Sequence, residues 1–209
     1  MAKNQHIVAV QTALPTFTGF KRCDPFEALN SEDVVIGFRP KLEDLDPREA
    51  MQGGKATLQL IPYILIRSED EYLVYVRPAA GNETRLHGKV SIGLGGHVDI
   101  EDVIHECSVL DLKKTIRLAA AREVEEETGG VLGNSDIKWT GLIYRDDGPV
   151  DRVHLGIVGI VDLDSHQRAD IGYSKEIGEI AFKGMEEIPK AFADYEIEAW
   201  SKAIIEEAA

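Results

Sequence analysis

Four glutamates crowd into five positions of the segment AAAREVEEETGG, residues 119–130. On a helix, Glu123, Glu126 and Glu127 share one face because they are spaced i, i+3, i+4. Glu125 points elsewhere and is expected to be solvated surface. Like charges at this spacing destabilise a helix by roughly 0.2–0.5 kcal/mol, and the partial negative charge of a helix C-terminus adds to that cost. A divalent cation such as Mg²⁺ or Mn²⁺, which takes oxygen ligands, would compensate these carboxylates.

The helix that carries these acids is predicted to span residues 112–128. Asp111 is a candidate N-cap, and Gly129 suits the C-terminal end of the helix. An apolar stripe leads directly into the acidic face: Leu112, Ile116, Ala119. A solvated acidic helix end is the simpler interpretation of the glutamates. The continuous stripe, the preceding arginine and the terminating glycine together favour a cation site instead.

Strand-like segments lie on both sides of this helix in the sequence. We predict strands within residues 6–14, 33–40, 57–67, 71–78, 137–147 and 151–163, and a last helix over about 189–207. The runs 57–67 and 71–78 are separated by a short turn and are predicted to form a hairpin. Strands before and after a central helix indicate an α/β fold of the α+β kind, with helices packed on a mixed β-sheet. Residues 1–55, which hold two short strands and a polar loop, are interpreted as an N-terminal extension of a main domain at 56–209.

Composition excludes several classes of protein. The chain has 209 residues and a formal net charge of −14, which argues against binding to a nucleic-acid backbone. Its two cysteines provide neither a disulfide framework nor a zinc-binding spacing. The sequence shows no secretory signal and no apolar run long enough for a membrane span. We therefore expect a cytoplasmic protein that does not bind membranes.

Two motifs carry a resemblance to a known family. The segment REVEEETG, residues 122–129, resembles the R-E-U-x-E-E-x-G half of the Nudix box, where U is apolar. The corner GGHVD, residues 95–99, is similar to the loop that opens the same box. The resemblance covers roughly residues 57–205. It implies a Nudix-like α/β/α sandwich with a mixed sheet.

The spacing within the box departs from the family pattern G-x5-E-x7-R-E. Five residues after Gly96 the acid position holds Asp102 rather than glutamate, and nineteen residues then precede Arg122 where the pattern has seven. We infer an insertion of twelve residues around 103–114. This resembles a branch of predicted phosphoesterases within the Nudix family. The insertion is a candidate lid or partner surface. Residues 1–55 are candidates either to add strands or to contribute to a homodimer interface.

The resemblance assigns roles to residues that match the motif. It implies that Glu123, Glu126 and Glu127 bind Mg²⁺ or Mn²⁺, with the Gly96 carbonyl as a further ligand, and that Arg122 orients one glutamate. One helical glutamate would act as general base on a metal-polarised water. The implied catalytic residues are Glu126, Glu123 and Arg122. The reaction would be hydrolysis of a phosphoanhydride bond in a nucleoside diphosphate derivative or a related phosphorylated small molecule.

Further polar residues are candidates for the same site. Cationic and histidine side chains near the box are expected to contact substrate phosphates: Arg77, Arg85, His87, Lys89, His97. Acids outside the helix are candidates for an extra metal ligand: Asp102, Glu176, Glu179. His154, inside an apolar strand, is expected to be a buried and hydrogen-bonded core residue.

Two other functions fit parts of the sequence. An isomerase resembling isopentenyl-diphosphate isomerase would use a cysteine and a glutamate, and Cys107 lies in the insertion. A non-catalytic nucleotide-sensing module of Nudix type is the second alternative. The helical half of the box keeps all three glutamates, which favours the hydrolase. The sequence does not determine the substrate.

Overall fold

The computed structural model describes residues 6–38, 46, 47, 51, 53–78, 86–129, 136–169, 171 and 180–208. The strands in these ranges are β1 (His6–Thr12), β2 (Gly19–Arg22), β3 (Val34–Phe38), β4 (Ala56–Ser68), β5 (Glu71–Val76), β6 (Val90–Ser91), β7 (Gly93–Leu94), β8 (His105–Glu106), β9 (Val109–Leu110), β10 (Lys138–Tyr144), β11 (His154–Asp162) and β12 (Ile180–Lys183). The α-helices are α1 (Pro25–Ala28), α2 (Leu112–Thr128), α3 (Ser165–Ala169), α4 (Ile188–Ala191) and α5 (Ala199–Ala208). None of these helices combines the length and apolar character that a membrane span requires.

The chain divides into two compact units, each built from three separate stretches. Unit 1 comprises residues 1–62, 96–120 and 139–158, and unit 2 comprises residues 63–95, 121–138 and 159–209. Four elements contribute residues to both units: β4, α2, β10 and β11.

In unit 1, β1 lies between β3 and β4, and both pairings are antiparallel. Val10 shows the register, because it is opposite Val34 on one side and Leu58 on the other. Of the two strands predicted in the N-terminal extension, β1 is therefore hydrogen-bonded to β4, which begins at residue 56, and β3 is hydrogen-bonded to β1. In the same unit β10 lies between β2 and β11. A Cβ atom at Gly141 of β10 would collide with the carbonyl oxygen of Lys21 on β2, so glycine is required for this close approach.

The apolar core of unit 1 is built on alternating strand residues and on one stripe of α2. Its buried members are Val8, Val10, Leu29, Leu58, Leu60, Val98, Leu112, Ile116, Ala119, Leu142, Tyr144, Leu155 and Ile157. The predicted stripe of Leu112, Ile116 and Ala119 is thus confirmed as the buried face of the helix. Burial of this kind, at about 25 cal/mol per Å² of apolar surface, is the main stabilising contribution to such a unit.

In unit 2, β5 lies between β4 and β12. The predicted hairpin is confirmed, because Arg67 is opposite Tyr72 and Ser68 is opposite Glu71 across the turn between β4 and β5. The short strands β6 and β7 pair with β5 and β4 respectively. With the strands of unit 1, these elements give the predicted α+β class with a mixed sheet.

The helix α2 has the predicted bounds, and its ends show why. Asp111 acts as the N-cap, since its Oδ1 accepts a hydrogen bond of 2.9 Å from the Lys114 backbone N–H. At the other end Gly129 has a φ of 74°, and its N–H donates to the Glu125 carbonyl at 2.9 Å. A left-handed glycine of this kind commonly ends an α-helix.

The inferred insertion holds a small antiparallel hairpin. In it His105 pairs with Leu110 and Glu106 pairs with Val109. The turn is formed by Cys107 and Ser108, with φ angles of 49° and 66°. Both cysteines of the chain are free thiols.

The prediction of one helix over 189–207 is wrong. The segment instead forms α4 and α5, separated by residues 192–198. Val90 causes the interruption, because its N–H donates to the Glu196 carbonyl at 2.8 Å and its carbonyl accepts from the Glu198 N–H at 3.0 Å. These two bonds hold residues 196–198 beside β6 in place of a helical turn.

Candidate functional site

Arg122 contacts two of the box glutamates at the C-terminal end of α2. Its Nη1 atom lies 2.7 Å from Glu123 Oε1 and 3.8 Å from Glu126 Oε1. Both carboxylates therefore turn an oxygen toward the same guanidinium nitrogen, and two negative charges share one cation. Arg122 is predicted to orient one of the glutamates, and the structure contains the contact that this role requires.

The three predicted metal ligands on α2 differ in exposure. The side chain of Glu126 is 64% exposed and that of Glu123 is 17% exposed. Glu127 is buried, with only 6% of its surface exposed. Glu125 is exposed, as predicted. The acidic face therefore combines one deep carboxylate, one partly buried carboxylate and one that faces solvent.

Arg77, a predicted phosphate contact, forms an ion pair in unit 2. It follows β5, and its Nε donates a hydrogen bond of 3.0 Å to Glu198 Oε2. Glu198 is only 5% exposed. A buried carboxylate requires compensation by charge and hydrogen bonds, and Arg77 supplies the charge.

Three hydroxyl groups complete the surroundings of Glu198. Tyr63 donates to its Oε1 at 2.6 Å, Ser91 at 2.5 Å and Ser201 at 3.0 Å. Burial would raise the pKa of Glu198, but the charge of Arg77 and the hydrogen bonds from Ser91 and Tyr63 outweigh it and lower that pKa. The carboxylate is therefore kept ionised in the interior of unit 2. Burial, together with the charge of Glu198, raises the pKa of Tyr63.

The buried box glutamate Glu127 acts electrostatically on the same group of residues. Burial lowers the pKa of Arg77, but the neighbouring Tyr75 and Glu198 raise it more strongly. Glu127 adds to that increase. Burial also raises the pKa of Tyr75, against the opposing charge of Arg77, and Glu127 contributes again. Arg77 is thus a permanent cation within electrostatic range of a predicted metal ligand.

Two further predicted substrate contacts lie beside Arg77. The Arg77 N–H donates to the Lys89 carbonyl at 2.9 Å, and the Gly88 N–H donates to the Arg77 carbonyl at 2.8 Å. His87 lies in the same stretch of chain. The Lys89 ammonium forms an ion pair of 2.7 Å with Glu196. Both Arg77 and Lys89 therefore bind carboxylates in this structure, and their contact with phosphate stays a prediction.

The remaining predicted residues described by the structure lie in unit 1. Asp102 is buried, and its Oδ2 accepts a hydrogen bond of 2.9 Å from the Asp99 N–H at the start of a 3-10 helix. Gly96 precedes His97, whose Nε2 lies 2.9 Å from Gln59 Oε1 and 3.3 Å from His154 Nε2. His154 is buried, as predicted. Three predicted site residues lie outside the described ranges: Arg85, Glu176 and Glu179.

Within the described ranges, no group of three or more His, Cys, Asp and Glu side chains has a spacing that would hold a metal ion. The predicted ligands Glu123, Glu126 and Glu127 do not form such a group as they stand. Their role as ligands to Mg²⁺ or Mn²⁺ therefore stays a prediction.

The sequence of this chain is similar to that of a known protein over most of its length. Protein YmaB of Bacillus subtilis (strain 168) is 34% identical to it over 188 residues, which cover 87% of each sequence. The chain belongs to the YmaB family. No protein-family model matches the sequence of this YmaB-family protein.

Solved structures establish the fold of this YmaB-family protein. Tm1382, provisionally assigned as a Nudix hydrolase, matches it with a TM-score of 0.67 at 23% identity, and the match covers 97% of both chains. DR0079 from Deinococcus radiodurans matches with a TM-score of 0.51 at 12% identity, over 95% of this chain and 98% of that one. The YmaB-family protein therefore has the Nudix-like α/β/α fold that the motif REVEEETG predicted.

Sequence reasoning missed Glu198 as a member of the buried network. Its partner Arg77 is 121 positions away in the chain. Glu198 lies inside the one helix predicted over about 189–207, and the sequence indicates no separate role for it. The available sequence signal is a carboxylate between two apolar residues, Ile197 and Trp200, of which the structure half-buries the first and buries the second.

Proposed function

We propose that this YmaB-family protein is a metal-dependent hydrolase of Nudix type that cleaves a phosphoanhydride bond in a nucleoside diphosphate derivative or a related phosphorylated small molecule. The observation that carries the proposal is the arrangement at the end of α2. There Arg122 Nη1 faces Glu123 at 2.7 Å and Glu126 at 3.8 Å. Carboxylates that already converge on one cationic position are suited to a second, divalent cation.

The donor set fits Mg²⁺ or Mn²⁺. All the side-chain donors are carboxylate oxygens, which these hard ions prefer over nitrogen or sulfur. Mg²⁺ is usually held by one or two carboxylates together with substrate phosphates and water, rather than by a cage made entirely of protein. The absence of a three-residue cluster among the described side chains is compatible with that mode. Glu123 and Glu126 would hold the ion, and Glu127 lies deeper on the same helix.

The metal, when bound, would lower the pKa of a water molecule and neutralise charge on the phosphates. The side chains of the protein would position the metal ligands and accept the proton. Arg122 holds Glu123 in place through a charge-assisted hydrogen bond. A helical glutamate, for which the exposed Glu126 is best placed, would accept the proton of the attacking water. Arg77, whose charge is balanced by Glu198 in this structure, stays a predicted contact for the substrate phosphates.

The test is a panel of nucleoside diphosphate derivatives incubated with the protein and Mg²⁺, with monophosphate products resolved by chromatography. We expect turnover by the unmodified chain and a loss of at least about 100-fold in Glu126→Gln, since general base catalysis typically contributes about 10²–10⁴-fold. Glu125→Gln is the matched control, because Glu125 is exposed on the same turn and should keep its activity.

Two results would overturn the proposal. Equal activity of Glu126→Gln and Glu125→Gln would show that the acidic face takes no part in the reaction. Binding of the nucleotides without turnover, in a folded protein supplied with Mg²⁺ and Mn²⁺, would favour the nucleotide-sensing alternative instead.

A further inference from the structure

Two histidines that lie 57 positions apart in the sequence face each other in unit 1. His97 Nε2 and His154 Nε2 are 3.3 Å apart, and the ring centroids are 5.4 Å apart with an angle of 61° between the planes. Gln59 of β4 turns its Oε1 toward the same point, 2.9 Å from His97 Nε2. Three potential donor atoms from three separate segments of the chain therefore converge.

A backbone carbonyl fixes the orientation of the His154 ring. Its Nδ1 lies 2.6 Å from the Val150 carbonyl oxygen. A carbonyl only accepts, so Nδ1 carries a proton and donates it. In the neutral ring Nε2 then presents a lone pair, and it does so toward His97. Metal-binding histidines almost always donate their other ring N–H in this way to a carbonyl or carboxylate.

The separation of the two nitrogens matches a shared metal ion. Zn²⁺ binds imidazole nitrogen at about 2.0–2.1 Å with tetrahedral angles, which places two such nitrogens about 3.3 Å apart. His97 and His154 have that spacing without any movement of the backbone. Imidazole nitrogen is a preferred donor for Zn²⁺ and Co²⁺ and a poor one for Mg²⁺.

Gln59 supplies an independent observation. The residue is 0% exposed, and its Nε2 makes no hydrogen bond within the described part of the chain. Leaving a buried amide N–H₂ group unsatisfied costs about 1–3 kcal/mol, whereas one neutral hydrogen bond contributes only about 0.5–1.5 kcal/mol. The contact between Oε1 and His97 alone therefore does not explain why a buried strand position carries this amide. Coordination of a metal ion by Oε1 would leave Nε2 as it is, but it would add a stronger interaction at the oxygen that offsets the cost of burying the amide.

We propose that His97 Nε2, His154 Nε2 and Gln59 Oε1 form a binding site for a transition metal ion of the Zn²⁺ class, with water as the fourth ligand. The site is chemically distinct from the carboxylate site on α2, because its donors are two imidazoles and a neutral amide. Occupancy would link β4, β11 and the segment that follows Gly96 within unit 1. The inference does not depend on the proposed hydrolase activity.

The test uses Co²⁺ as a spectroscopic substitute for Zn²⁺ with the full-length chain. We expect one equivalent of Co²⁺ to produce the visible absorption of a tetrahedral site, to be displaced by Zn²⁺ and to be unaffected by excess Mg²⁺. His97→Asn and His154→Asn should each weaken binding by more than about 10-fold, since even a partner that only orients a ligand contributes about 10–100-fold. His105→Asn, at an exposed histidine of β8, is the matched control.

A second substitution separates coordination from simple hydrogen bonding. Gln59→Glu replaces the neutral oxygen with a charged one of the same shape, so Zn²⁺ should bind more tightly and raise the melting temperature of this variant more than that of the unmodified protein. The proposal is overturned if Zn²⁺ raises both equally or neither.

Nitrogen-detected NMR of the unmodified chain keeps the test valid if a histidine variant fails to fold. Zn²⁺ should shift the Nε2 resonances of both His97 and His154. A tetrahedral Co²⁺ spectrum that His105→Asn abolishes, or Zn²⁺ shifts confined to other histidines, would contradict the site.

Discussion

Arg77 Nε lies 3.0 Å from Glu198 Oε2, and the pair joins the end of β5 to the residue that precedes α5. Both side chains are largely buried, and Glu198 also accepts hydrogen bonds from three hydroxyl groups. Burial lowers the pKa of Arg77, the neighbouring Tyr75 and Glu198 raise it more strongly, and Glu127 of the box helix adds to that increase. A cation expected to bind phosphate is therefore also a structural member of unit 2, and its substitution will affect both properties.

Removal of the Glu198 charge should destabilise the protein strongly. In Glu198→Gln the guanidinium of Arg77 stays buried without its counter-charge, and loss of one partner of a buried pair typically costs about 3–5 kcal/mol. Urea denaturation measures the change in the free energy of unfolding. Glu196→Gln is the control, because Glu196 is the largely exposed partner of the Lys89–Glu196 ion pair. Exposed ion pairs contribute about 0–1 kcal/mol to stability. Similar losses in the two variants would show that the Arg77–Glu198 pair is not specially stabilising.

The same carboxylate should make stability depend on acid pH. The folded pKa of Glu198 is lowered, because the charge of Arg77 and the hydrogen bonds outweigh burial. A depressed carboxyl pKa stabilises the fold fully above the unfolded value of about 4.3 and loses that contribution as pH falls through the folded value. The stability difference between the unmodified protein and Glu198→Gln should therefore be constant near neutral pH and shrink below pH about 4. Denaturation at a series of pH values measures it, and a difference that widens in acid would refute the assignment.

Asp102 should matter for the local fold through its acceptor oxygen. Its buried Oδ2 receives the Asp99 N–H at 2.9 Å. Asp102→Ala leaves that donor unsatisfied and should lower the free energy of unfolding by about 1–2 kcal/mol, a typical value for loss of a cap. Asp102→Asn keeps an acceptor oxygen and should lose less than half as much. Equal losses would indicate that the charge, as required of a metal ligand, outweighs the hydrogen bond.

The box helix was predictable because its determinants are local. Asp111, Gly129 and the stripe ending at Ala119 all lie within the segment that they organise, and each acts through hydrogen bonds or packing spaced by one helical turn. The same holds for the hairpin of β4 and β5, whose turn and alternation are contiguous. The fold class follows from the order of such elements along the chain.

What the sequence did not predict depends on distant partners. The break between α4 and α5 arises because Val90 forms backbone hydrogen bonds with residues 196 and 198, and no feature of the 189–207 segment signals it. His154 was recognised as buried, but its approach to His97 depends on how β11 meets the chain after Gly96. Backbone pairing of this kind competes successfully with a local helical pattern, since tertiary contacts routinely override propensity.

Arg122 should act on catalysis by orienting the acidic face. Its Nη1 is 2.7 Å from Glu123 and 3.8 Å from Glu126, and in Arg122→Gln these carboxylates would repel one another without a shared cation. We expect the activity to fall by about 10–100-fold, the usual effect of removing a group that orients a metal ligand, with a higher Mg²⁺ concentration needed for half-maximal rate. Arg117→Gln, at an exposed arginine of the same helix, is the control. An unchanged Mg²⁺ dependence in Arg122→Gln would mean that the arginine contributes only to helix stability.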